Sequence, residues 1–141
     1  MKITLDKGAK MPTRAHPYDA GLDLYAPECD GTYTISPCGG SVTIDTGVHM
    51  QIPEGCVGFI KAKSGLNVKH GLTCTGVIDA HYTGSIAVKL YNHHPCLRYD
   101  VRPGDKIAQL VILPCLLPEL ELVDSLEKTD RGADGFGSTG R

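Results

Sequence analysis

The sequence reads as an all-β domain, a sandwich or small barrel of short strands with one short helix. Three observations carry that reading. Seventeen glycines and nine prolines are spread through 141 residues, which leaves few uninterrupted stretches for helix. Between them recur short alternating or apolar runs of strand length. Helical character is confined to a single short segment. The length fits one domain, and an apolar content of 41% supplies a core.

Taken in order, the strand runs are YTI (33–35), VTI (42–44), VHMQI (48–52), VGFIKA (57–62) and SIAVKLY (85–91), followed by LRYDV, KIAQLVIL and ELELV. In SIAVKLY, Ile86, Val88 and Leu90 share one face while Ala87, Lys89 and Tyr91 share the other, the period of a half-buried strand. SPCGGS, PEG (53–55) and RPGD (102–105) supply the turns. The helix is SGLNVKHG (64–71), with Ser64 expected as N-cap and Gly71 as the stop. After Asp130 the apolar pattern ends. The chain therefore divides into a β domain, residues 1–130, and a glycine-rich tail, RGADGFGSTGR (131–141), expected to be flexible.

Charge and composition exclude several classes. A net charge of −2 with no long run of either sign argues against bulk electrostatic binding to nucleic acid. No apolar stretch approaches the roughly 20 residues of a membrane span, and MKITLDKGAK lacks the apolar centre of a signal peptide. The expectation is a soluble cytoplasmic protein with no membrane partner. Six cysteines occur without a C-x-x-C pair and are expected as reduced thiols. His93 and His94 have no second ligand pair at zinc spacing and read as surface residues.

Five stretches carry candidate chemistry. GLDLYA sets Asp23 between leucines, so its carboxylate must leave the core or meet a cation. KSGL puts Lys63, Ser64 and Gly65 at a strand-to-helix junction, where free N–H groups, a hydroxyl and a cation can hold phosphate. GVIDAHY projects Asp79 from a strand end, as a general base would be held, with Tyr82 nearby. GDKIAQL sets the amide of Gln109 in an otherwise apolar strand, where it needs partners. The tail contains a formal G-x-G-x-x-G, but no helix can follow it, so the dinucleotide-fold reading fails. Its glycines can still wrap an anion, helped by Arg131, Ser138 and Thr139, and Phe136 can stack on a flat ring.

The order AGLDLYA, KSGL, GVIDAHYTG, GDKIAQL, RGADGFGSTG resembles the five ordered motifs of the trimeric deoxyuridine triphosphatases, from Ala20 to Gly140. The resemblance implies a β-clip or jelly-roll barrel assembled as a homotrimer, with three active sites shared between chains. It implies hydrolysis of dUTP to dUMP and pyrophosphate, limiting uracil in DNA and supplying dUMP for thymidylate synthesis, with magnesium carried on the triphosphate. By position, Asp79 matches the base that orients water toward the α-phosphorus, and Asp23 the acid that reaches magnesium through water. Lys63, Ser64, Gly65 and Gln109 match phosphate contacts. Thr73, Gly76, Val77 and Ile78 lie in the hairpin whose backbone reads uracil, and Tyr82 matches the ring packed on deoxyribose. Phe136 and Gly137 match the closure over uracil, and Arg131, Ser138 and Thr139 the tail contacts to the outer phosphates.

Four positions depart from the family pattern: Lys63 for arginine, His81 for an acid, Thr83 for a basic residue and Asp134 for glycine. Two rival readings differ in consequence. The related dCTP deaminases carry a glutamate where this chain has Lys89, which cannot shuttle the proton that deamination needs. Related proteins of phages and mobile elements act as protein-binding regulators, a role that intact catalytic motifs do not oppose.

Overall fold

The computed structural model describes residues 1–130, 132 and 133. Ten strands and one helix form in these residues. They are β1 (Ile3–Leu5), β2 (Gly21–Tyr25), β3 (Tyr33–Ile35), β4 (Gly40–Met50), β5 (Cys56–Lys61), α1 (Ser64–His70), β6 (Leu72–Thr73), β7 (Thr75–Ile78), β8 (Ser85–Asn92), β9 (Tyr99–Val101) and β10 (Lys106–Pro114). Two four-stranded sheets, β1-β4-β8-β6 and β2-β10-β5-β7, enclose one apolar core as a jelly roll, and β3 pairs with β9 in a separate ribbon. Every pairing is antiparallel.

The core follows from the alternation in sequence. On β8, Ile86, Val88 and Leu90 are buried while Ala87 and Lys89 are exposed, as the period of two requires. They meet Ile44 and Val48 of β4, and from the opposite sheet Leu24, Ile60, Ile78 and Leu110. The two buried polar side chains outside the candidate site are satisfied. Asn92 donates to the carbonyls of Ile35 and Leu97 and accepts from the His94 amide. Thr46 donates to the Ile86 carbonyl at 2.6 Å.

Three expectations need correction. VTI and VHMQI are one strand, β4, not two. The ladder with β8 shifts register between Asp45 and His49, and Gly47 takes a left-handed conformation (φ 64°) with the Thr46 hydroxyl accepting from the Val48 amide. The glycine marks a bulge, and a bulge bends a strand without ending it. Ser64 is not the N-cap: that position is Lys63, in extended conformation, with no side-chain cap. ELELV forms no strand, and Leu120 and Leu122 are fully exposed. Its alternation is strand-like, but it pairs with no strand among the described residues. Sequence reasoning also missed β1, which pairs along the end of β4.

Leu110 lies at the centre of β10, fully buried and flanked by β2 and β5. Leu110→Ala is expected to cost about 2–5 kcal/mol through lost burial and the cavity left behind, read as a lower urea midpoint at unchanged slope.

Candidate active site

The segment after α1 builds the first half of the site. Gly71 ends the helix in a left-handed conformation (φ 66°), its N–H returning to the Asn67 carbonyl. The chain then enters β6 in one sheet, crosses at the buried Cys74, and continues as β7 in the other. Burial pushes the Cys74 thiol up to about 11, so it is a core residue and no nucleophile. After residues 79–84 the chain returns to the first sheet as β8. The stretch expected as a uracil-reading hairpin is therefore a corner between sheets, since β7 pairs with β5 and β8 with β4.

That corner leaves a gap lined by Val77, Ile78, Asp79, Tyr82, Ser85 and Ala87, about 260 Å³ in volume. β7 is the last strand of its sheet, so its outer edge keeps unpaired backbone donors and acceptors. β6 covers β8 only at Tyr91 and Asn92, which leaves the same edge of β8 open along its earlier residues. Asp79 is exposed at the strand end, and its carbonyl accepts the Tyr82 amide at 3.1 Å. The Tyr82 hydroxyl donates to the Ser85 carbonyl at 3.0 Å, laying the ring across the turn. Gly84 makes room for it: a Cβ there would stand 2.6 Å from the ring carbon bearing the hydroxyl. Asp79 also borders a larger cavity, about 740 Å³, lined with Glu54, Cys56, His81, Cys115 and Leu117 among others. The smaller gap combines Tyr82 with two open backbone edges.

The second half is a row across the other sheet. Asp23 on β2, Gln109 on β10, Lys61 on β5 and Thr75 on β7 are register partners in turn. Asp23 is 4% exposed. One carboxylate oxygen accepts a hydrogen bond from Lys63 Nζ, and the other is ion-paired with Lys106 Nζ at 2.7 Å. Burial alone would raise the carboxyl pKa, but the two ammonium groups outweigh it and hold Asp23 below its ordinary 3.8. The same pairing raises Lys106. Lys106 was not singled out from sequence, although the acid's need for a cation was the signal that could have found it. Gln109 donates to the Ala62 carbonyl at 3.2 Å, bracing the strand that leads into Lys63. Ser64 and Gly65 open the uncapped helix beside them, with open space around Gly65.

Within one chain these halves stand apart. Three strand spacings across the row make about 14 Å, and the four residues from Thr75 to Asp79 add about 13 Å along β7, so Asp79 is about 20 Å from Asp23. Ser64 and Gly65 lie beyond the far end of β5. Thr73 is separate again, on β6, where its hydroxyl meets His93 Nε2 at 2.7 Å. Arg131, Phe136, Gly137, Ser138, Thr139 and the unusual Asp134 lie outside the described residues. Among the described residues no three His, Cys, Asp or Glu side chains are placed to hold a metal ion, none of the six cysteines is paired, and no helix is long and apolar enough to cross a membrane.

The sequence pattern of the dUTPase family matches residues 7–140. The chain belongs to the dUTPase family. It is 48% identical over 132 residues to the deoxyuridine 5'-triphosphate nucleotidohydrolase of rabbitpox virus, covering 94% of this chain and 86% of that one. It is 43% identical over 139 residues to the enzyme of the same name from Nocardia farcinica, covering 96% and 82%. Among solved structures it is similar to the dUTPase of Staphylococcus bacteriophage 80alpha with dUPNHPP, at 34% identity and a TM-score of 0.87 over 99% of this chain and 98% of that one. A mutant dUTPase from phage phi11 of S. aureus, 32% identical with a TM-score of 0.79 over 90% and 98%, reveals the coordination of a structural Mg(II) ion.

Two outcomes follow from this geometry. Gly84→Ala is expected to swing the half-exposed Tyr82 ring off the turn, raising KM for dUTP about tenfold with little change in melting temperature. Steady-state kinetics beside thermal melts check it. For Asp23 the lowered carboxyl pKa means that its stabilisation is complete above the ordinary carboxylate range and is lost as pH falls through the lowered value. Asp23→Asn should therefore be about 2–4 kcal/mol less stable at neutral pH, and the two proteins should converge in acid when unfolding is followed against pH.

Proposed function

We propose that this chain hydrolyses dUTP to dUMP and pyrophosphate, with water attacking the α-phosphorus under the direction of Asp79. The observation that carries it is the corner between β7 and β8: an exposed carboxylate at the mouth of a gap lined by Tyr82 and two open backbone edges. A uracil ring presents a donor flanked by two acceptors, which such edges can pair as another base would. Gly76, Val77 and Ile78 would supply one edge. Tyr82 would pack on the deoxyribose where a 2′-hydroxyl would clash. Asp79 would accept a hydrogen bond from water and so aim its lone pair.

The phosphates would meet Lys63, Ser64, Gly65 and Gln109. One hydrogen of the Gln109 amide is used on Ala62, and its second points the same chemistry at an anion. Magnesium, arriving on the triphosphate, would supply charge neutralisation there. Asp23 fits it only indirectly, because its carboxylate is buried and meets two lysines. It could accept from a magnesium-bound water once a phosphate draws Lys63 or Lys106 away.

Asp79 stands about 20 Å from Asp23 in one chain, and a neighbouring copy would bring the two together on one nucleotide. This supports a homotrimer with shared sites. The exposed Leu116, Leu117, Leu120 and Leu122 are the kind of surface a neighbouring copy would cover. Residues 131–141 would close over the bound nucleotide, with Phe136 on uracil and Arg131, Ser138 and Thr139 on the outer phosphates. Cytoplasmic placement, limiting uracil in DNA, accords with this chemistry.

The test is pyrophosphate release from dUTP, dCTP, dTTP and UTP, wild type against Asp79→Asn. Rapid cleavage of dUTP alone is expected, and Asp79→Asn should lose at least about 10³-fold in kcat while still binding dUTP. Equal cleavage of all four nucleotides would refute the substrate assignment, and turnover surviving Asp79→Asn would refute the general base.

A further inference from the structure

The turn that carries Asp79 and Tyr82 is held from outside by a titratable side chain. His49 lies on β4 just past the bulge, its side chain about a quarter exposed. Its Nδ1 is 2.9 Å from the carbonyl oxygen of Thr83, the residue that follows Tyr82. Its Nε2 is 3.2 Å from Asp6 Oδ2, just beyond β1. Asp6 is itself fixed, its amide donating to the Gly47 carbonyl at 2.8 Å. On the other side of the turn, Ser85 donates to Asp45, which also accepts from the Gly47 amide at 3.1 Å. The bulge in β4 thus grips both ends of the segment 83–85.

We propose that His49 is a positioning residue of the active site, whose imidazolium ties the Asp79–Tyr82 turn through Thr83 to the N-terminal segment at Asp6. Both partners are acceptors: a carbonyl and a carboxylate. The imidazolium donates to both at once, whereas neutral imidazole has one N–H and must turn a lone pair toward one of them. Loss of the proton therefore loosens either the turn or its anchor. The charged groups facing the ring are Asp6 across from β1, Asp45 on its own strand, and Lys2, which lines the same 250 Å³ cavity and opposes them. The Thr83 carbonyl and Asp6 raise the His49 pKa against a small desolvation effect. Both bonds are thus complete in mild acid, and one of them is lost as pH rises through that raised value.

The inference rests on the hydrolase reading of this turn, so one arm of its test needs no substrate. Nitrogen NMR of the full-length protein should show His49 titrating above an ordinary histidine, and Asp6→Asn should bring it down while keeping the ring. In the kinetic arm, His49→Gln supplies a donor that does not titrate. The ratio of wild-type to His49→Gln kcat/KM is expected to be about fivefold near pH 6 and to approach about one near pH 9. That ratio cancels the titration of dUTP itself. In Asp6→Asn the fall should move to lower pH. Parallel profiles at every pH, or an Asp6→Asn variant that leaves both the NMR titration and the profile in place, would overturn the proposal and leave His49 a structural residue.

Discussion

The candidate site depends on one topological constraint: β7 and β8 follow each other in sequence but belong to opposite sheets. A hairpin would have spent their backbone groups on each other. Here the short turn 79–84 jumps between sheets, and β6 is too short to cover β8 beyond Tyr91. Two strand edges with unspent donors and acceptors are left close together, held open by core packing on either side. Unpaired edges are ordinarily a hazard. At this corner they become a rigid polar slot, and the acid at its mouth inherits that rigidity from Ile78 behind it.

Charge at the other half obeys a different constraint. Asp23 lies between buried leucines on β2 and points to the face opposite theirs, yet it is almost fully buried. It is tolerable because two lysines come to it, each keeping part of its length in solvent. The cluster carries one net positive charge beside an uncapped helix start. The acid acts there as the counter-ion that gathers the two cations.

Much of the fold was legible because it is written in short-range chemistry. Ile86, Val88 and Leu90 alternate as a half-buried strand must, and Arg102 to Asp105 spell a tight turn that forms as read. The errors arose where two local signals have one spelling. Thr46-Gly47 can end a strand or bulge it, and only the long-range partner β8 decides. Ser64 is a good cap by type, but the chain enters the helix one residue earlier, at Lys63. In the candidate site, Asp79 and Tyr82 were singled out from order and spacing. Lys106 and His49 were not, because their roles come from contacts across 83 and 34 positions of sequence, with Asp23 and Thr83.

The same distance argument bears on ELELV. Its alternation is strand-like, yet its leucines stand in solvent and it pairs with no strand of the described chain. A sequence that encodes a strand without encoding its partner is locally inconsistent, unless the partner is another copy. The separation of Asp79 from Asp23 would be met in the same way. One symmetric association would meet both needs, covering the apolar arm and bringing a foreign phosphate row to each nucleoside slot. On this argument a second copy would complete each site, since a lone chain holds Asp79 and Asp23 about 20 Å apart.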